Sequence, residues 1–174
     1  MAHEWTLAHP LYDVDDIIDL AQRLFDLEGL TALKADPAVF RQHLTVACTT
    51  QLFDRGREFI AVARDGDKLL GYCWFDRGGY TTYSREEISN AKFHHCRLDL
   101  PVRTRIKLID EMLEQHALWA SRWGIPIICS TSIRKEHAVF MRLHERRGFE
   151  VNGSYGWART EDVMKTVGQR FPKG

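Results

Sequence analysis

The sequence predicts a mixed α/β domain with a central, mostly antiparallel sheet flanked by helices, and three observations carry that expectation. Amphipathic stretches at helical spacing alternate with short apolar runs along the 174 residues. Two such runs are joined by Asp65-Gly66, a strong signal for a tight antiparallel hairpin. A nearly all-apolar run from Ile125 to Ile133, bounded by turn residues, suits a central strand buried on both faces. With 44% hydrophobic and 28% charged residues, a chain of this length can bury one sizeable core, so residues 1–174 are read as a single domain.

Taken in order, Glu4 to His9 alternates like a short strand, and Val14, Ile17, Ile18, Ala21 and Leu24 then form one helical stripe ahead of Gly29. A second helix starts with Asp36 as N-cap and Pro37 in the first turn, carries Phe40, Leu44 and Ala47, and ends at Gly56. Glu58 to Asp76 is the hairpin. Residues 77–90 are polar, contain Gly78 and Gly79 and lack helical period, so they read as a loop into a strand from Ala91 to Leu100. Tyr80 and Tyr83 in that loop could face a substrate or simply pack on the surface.

Past Pro101 a long amphipathic helix runs to Trp123-Gly124, with Ile106, Ile109, Leu113, Ala117 and Ala120 on its expected buried face. The apolar run follows, then a helix from His137 to Arg147 stopped by Gly148. Residues 149–158 and 163–167 complete the chain as a hairpin, giving the order β-α-α-β-β-β-α-β-α-β-β.

Lys plus Arg and Asp plus Glu each total 24, so net charge is zero and no global field marks nucleic acid or an anionic membrane as an obligate partner. Cys48, Cys73, Cys96 and Cys129 form no C-x-x-C pair, which argues against a zinc site or a disulfide framework and for reduced, part-buried thiols. The N-terminal stretch lacks the basic-then-apolar pattern of an export signal, and no run approaches the ~18 apolar residues of a membrane span. A cytoplasmic protein is expected.

The order of elements, together with His137-Ala138-Val139-Phe140-Met141-Arg142-Leu143-His144-Glu145-Arg146-Arg147-Gly148-Phe149, resembles the GNAT superfamily of acyl-CoA-dependent N-acetyltransferases across nearly the whole chain. In that family the last helix carries an Asn, a small residue and a Tyr at fixed spacing before Gly-Phe. Here those positions hold His137, Phe140 and His144. The family also enters its long helix through a glycine-bearing signature whose backbone N–H groups hold the pyrophosphate of CoA; the corresponding turn here is Arg103-Thr104-Arg105-Ile106-Lys107, with the first position on Thr104 and the glycine positions on Arg105, Lys107 and Ile109.

The resemblance implies acetyl-CoA as cosubstrate, a CoA thioester and an amine acceptor as partners, and direct transfer between them. It places the cosubstrate against Leu98, Leu100, Arg103, Thr104, Arg105, Ile106, Lys107 and His137. Basic side chains at a helix start oppose the dipole by roughly 0.3–1 kcal/mol each when exposed, which favours a bound anion over a merely solvated face. Arg97, Arg134, Lys135, Arg142, Arg146 and Arg147 would add to a basic groove. A nucleic-acid backbone would suit the same charges, but these segments lack interleaved stacking aromatics, so it ranks lower.

Acetyl transfer to an amine needs a base for the ammonium and an acid for the departing thiolate, and histidine can do either near neutral pH. His144 matches the position of the family's Tyr acid. Strand alternation separates Phe93, His95 and Arg97 from His94, Cys96 and Leu98, and His95 is the favoured base, with Glu86 or Glu87 acting through water as a further option. Adjacent strand histidines diverge, so His94 and His95 make no metal site. A catalytically inactive GNAT-like binding or assembly module stays open as the alternative, as do the acceptor and a homodimeric state.

Overall fold

A hairpin organises the sheet. In the computed structural model, which describes residues 3–28, 35–131 and 137–152, strand β2 (Glu58–Asp65) turns through Asp65-Gly66 into β3 (Lys68–Gly79), with Gly66 at φ +58° as such a turn requires. β1 (Glu4–Leu7) pairs antiparallel with β2, and β4 (Ile88–Cys96) antiparallel with β3. β5 (Ile127–Ser130) joins β4 in parallel, giving the order β1-β2-β3-β4-β5.

Four helices cover the two faces. α1 (Val14–Glu28) and α2 (Pro37–Phe53) pack against Ile60, Val62, Tyr72 and Trp74 of the sheet. α3 (Val102–Arg122) and α4 (His137–Arg146) close the other face over Ala61, Ala63, Cys73 and Phe75. The alternation of Ile60 with Ala61 and Val62 with Ala63 therefore feeds two separate cores. α2 begins as expected: the Asp36 carboxylate accepts from the N–H groups of Ala38 and Val39 at 2.9 and 3.4 Å.

Several expectations need correction. The expected loop at 77–90 is partly sheet, because β3 runs to Gly79 and β4 starts at Ile88. The Glu87 carboxylate holds these ends together, accepting from Arg77 at 2.7 and 2.6 Å and from the Gly78 N–H at 3.1 Å. β4 stops at Cys96 rather than Leu100, since the Arg97 N–H closes onto Leu70 O at 2.8 Å and the chain then turns.

On α3, Ile106 is 37% exposed and Ala117 is exposed; Leu108, Met112, His116 and Trp119 lie inward instead. β5 is shorter than the apolar run, and Ile127 is 36% exposed, so the strand is not covered on both faces among the described residues. Residues 149–152 are not a strand, and the rest of the expected closing hairpin lies outside the described residues. All four cysteines are thiols rather than half-cystines, with Cys48, Cys73 and Cys96 buried and Cys129 half-buried. Among the described residues no helix is long and apolar enough to cross a membrane.

Candidate functional site

The ladder between β4 and β5 is short. It runs from Ile88↔Ile127 to Ala91↔Ser130, and β4 then continues to Cys96 while β5 has ended. From Lys92 to Cys96, β4 has no β5 partner among the described residues, and α4 stands beside Ser130.

α4 delivers His144 to this place. Its Nδ1 lies 2.9 Å from Phe140 O and its Nε2 lies 2.8 Å from Ser130 Oγ. A carbonyl can only accept, so Nδ1 carries the ring proton, and the Ser130 hydroxyl donates to the lone pair on Nε2. Phe140 and Phe149 flank the ring at 4.4 and 4.9 Å between centroids. Burial pushes the His144 pKa down, which keeps this imidazole neutral near neutral pH.

His95 does not join it. Its Nδ1 lies 2.8 Å from Tyr72 Oη, on the α1–α2 face, against the rings of Phe25 and Phe93. The residue that meets His144 is His94, at 6.2 Å between ring centroids, with His116 behind it at 6.4 Å. His94 is 7% exposed, and its Nε2 has no hydrogen-bond partner among the described residues. Burial, and then the neighbouring His116, His144 and His95, hold its pKa well below the ordinary value. The structure thus brings His144 together with His94 and places His95 elsewhere, because the odd and even residues of β4 face different cores.

The expected cosubstrate residues divide. No side chain caps α3 and its first turn holds no acid, so the N–H groups of Val102, Arg103 and Thr104 have no intrahelical partner. Arg103 is exposed, Thr104 and Arg105 are half-buried, and Arg105 Nε is buried with no hydrogen-bond partner among the described residues. Lys107 is exposed and reaches Glu111 at 3.5 Å. Leu100 turns into the α3-side core, so it packs the turn. Leu98, 40% exposed, lines a cleft of about 400 Å³ between α1, the β2–β3 turn and the chain after β4. The side chain of His137, like Arg134 and Lys135, lies outside the described residues.

The local basic excess is smaller than the run of arginines in the sequence implies. Arg97 is bidentate to Asp99 at 3.0 and 2.6 Å, and Arg147 is bidentate to Asp110 at 2.7 and 2.6 Å. Tyr80 and Tyr83 stand out in solvent at 63% and 89% exposure. Glu87 is held by Arg77, whose guanidinium keeps its carboxyl below the usual range, which makes it a poor proton acceptor. Sequence reasoning missed Ser130 and His116. The second was readable, because Ile109, Leu113, His116 and Ala120 share one helical stripe.

No protein-family model matches the chain, and no curated protein matches it. Its three-dimensional structure does match solved ones. A predicted acetyltransferase with acetyl-CoA from Clostridium acetobutylicum superposes with a TM-score of 0.68 at 11% identity, covering 92% of this chain and 98% of that one. AAC(6')-Iy in complex with the bisubstrate analog CoA-S-monomethyl-acetylneamine gives 0.68 at 12% identity, over 92% and 99% of the two chains. Ribosomal-protein-alanine N-acetyltransferase from Brucella melitensis gives 0.61 at 17% identity, over 91% and 99%.

Proposed function

From a chain with the GNAT acetyltransferase fold, we propose an acyl-CoA-dependent N-acetyltransferase that passes an acetyl group to an amine of a small molecule or protein. One observation carries this reading: β4 runs on past its last β5 pair, Ala91↔Ser130, where His144 meets Ser130, and the start of α3 has no side-chain cap among the described residues. The structures with acetyl-CoA and with the bisubstrate analog support a CoA thioester as the donor.

The residues present fit such a donor. At the start of α3, three N–H groups at the positive end of the dipole suit a pyrophosphate, and Arg105, with its unpartnered Nε, adds a charge-assisted bond where the family's glycines are missing. Arg103, Thr104, Ile106 and Lys107 flank that anion site, Leu98 and Leu100 shape the turn before it, and His137 opens α4 on the far side. His144 handles the proton that the departing thiolate needs. His95, bonded to Tyr72 in the α1–α2 core, can serve as base only if the amine enters from that face.

Isothermal titration of CoA and acetyl-CoA at moderate salt tests the reading. Saturable heat, weakened in Arg105→Ala, is expected. No heat and no thermal shift at millimolar CoA would overturn it in favour of a binding or assembly module without catalysis.

A further inference from the structure

We propose that α2 carries the contact face of a homodimer, in which the outer sides of two copies of this helix pack antiparallel about Val46. The inference stands apart from the CoA-thioester reading and uses none of the residues assigned to that site.

The composition of α2 is unusual for a helix at the surface. From Pro37 to Phe53 its only Asp, Glu, Lys or Arg is Arg41, and that guanidinium is engaged by Asp15 of α1. The neighbouring helices follow the ordinary pattern, with Asp15, Asp19 and Arg23 exposed on α1 and Arg103, Lys107 and Glu114 exposed on α3. On α2 the inward side is Leu44, Ala47, Cys48 and Gln51, whereas Val39, Val46 and Phe53 stand out at 48%, 59% and 87% exposure. Single apolar residues in solvent are ordinary. These three, however, recur every seven residues, about two helical turns, and so lie on one line. Gln42 and Thr49, exposed and uncharged, fill the line between them.

Spacing and charge select a second copy of the chain as the occupant. Val39 and Phe53 lie equally far from Val46 along the helix, so reversing a second helix about Val46 sets each Val39 opposite Phe53 of the other chain. A small side chain then meets a large one at both ends, and Val46 meets its own copy on the axis. That is the self-complementarity a two-fold interface demands. The same operation brings Asp36, just before the first turn, level with Arg55 of the second copy, just past the last turn, and both residues are exposed. Asp36 caps its own helix through Oδ1 alone, which leaves Oδ2 for the arginine. Opposite charges therefore meet at each end, and no charge has to be buried between them. Antiparallel packing also sets the positive end of each helix dipole beside the negative end of the other. One helix face is a small interface, so the dimer should come apart on dilution.

Sedimentation of the full chain across the micromolar range tests the proposal. The expected result is a reversible monomer–dimer equilibrium for the native chain and a monomer throughout for Val46→Glu, which would oppose two carboxylates on the axis. Val46 is more than half exposed, so this substitution leaves the core untouched, and an unchanged melting temperature at low concentration checks the fold. Cysteine cross-linking then reads the register. In a mixture of the two single variants, Val39→Cys should join Phe53→Cys and neither should join itself, with the native chain reporting any link through its own thiols. A native chain that stays monomeric, a dimer that survives Val46→Glu, or Val39→Cys that links to itself or fails to link to Phe53→Cys would each overturn the proposal.

Discussion

Ser89 Oγ lies 2.7 Å from Nε2 of His116, and both side chains are closed off from solvent between β4 and α3. The imidazole stacks on Phe75 at 4.1 Å between centroids, a place suited to a neutral ring and hostile to a cation. Burial, with a smaller contribution from His144, pushes its pKa down to about 4.

Acid stability follows from that burial. In the unfolded chain a histidine takes up its proton near pH ~6.5, whereas folded His116 resists until about 4. Its contribution is therefore fully present above the unfolded value and is lost as the pH falls towards 4, by on the order of 3 kcal/mol from this group alone. His94, also held well below its ordinary pKa, steepens the loss. Urea midpoints measured from pH 7.5 to 4 should fall throughout that window; a flat profile would show that these rings take up protons without unfolding.

A tight approach beneath the same strand gives a second prediction. A Cβ on Gly71 would stand 2.7 Å from His95 O and 2.9 Å from the Met112 terminal methyl, and the first of these is backbone that cannot step aside. Gly71→Ala should cost roughly 1–3 kcal/mol through overpacking and displace β4 from β3. A melting temperature unchanged by the substitution would mean that β4 sits less tightly on β3.

Gly148 provides the contrasting case. Its φ of +86° is the left-handed cap conformation after α4, yet nothing lies within 4 Å of a Cβ there. Gly148→Ala should cost about 1 kcal/mol from backbone strain alone, without disturbing the His144–Ser130 contact. Chemical denaturation tests the size, and a loss as large as that of Gly71→Ala would mean that the cap packs against something more.

Local signals were legible where one residue decides a local conformation: Asp36 caps α2, Asp65-Gly66 turns the hairpin, and Gly148 ends α4. The split of His94 from His95 also followed from strand alternation. Which of the two meets α4 depends on the face that α3 and α4 cover, a long-range choice that alternation does not encode. Ser130 gave no signal, since its role comes from contact with a residue fourteen positions away in another element. Residues 77–90 misled because Gly78 and Gly79 imitate a loop, whereas Arg77 and Glu87 bind the strand ends together.

The start of α3 gives a test that separates two basic side chains. Arg105 has a buried Nε without a hydrogen-bond partner among the described residues, while Lys107 already reaches Glu111 at 3.5 Å and is exposed. Arg105→Ala should therefore weaken CoA binding more than Lys107→Ala, and the difference should shrink with a phosphate-free ligand such as pantetheine, which lacks the pyrophosphate. Equal losses in both variants, measured by calorimetry, would reduce the site to a diffuse positive field.

The proposed reaction turns on His144. Its lone pair faces Ser130, so it must be neutral to begin, and burial places its pKa below the ordinary histidine value. The turnover rate should thus hold through neutral pH and decline only as the pH falls through that lowered pKa. His144→Phe preserves a ring between Phe140 and Phe149 but removes both nitrogens, so it should lower turnover by roughly 10²–10⁴-fold, far more than it weakens CoA binding, and abolish the acid limb. Steady-state rates of CoA release across pH 5–8, beside calorimetric affinities, separate these effects. If turnover survives the substitution, the ring acts as packing between two phenylalanines and the proton passes elsewhere.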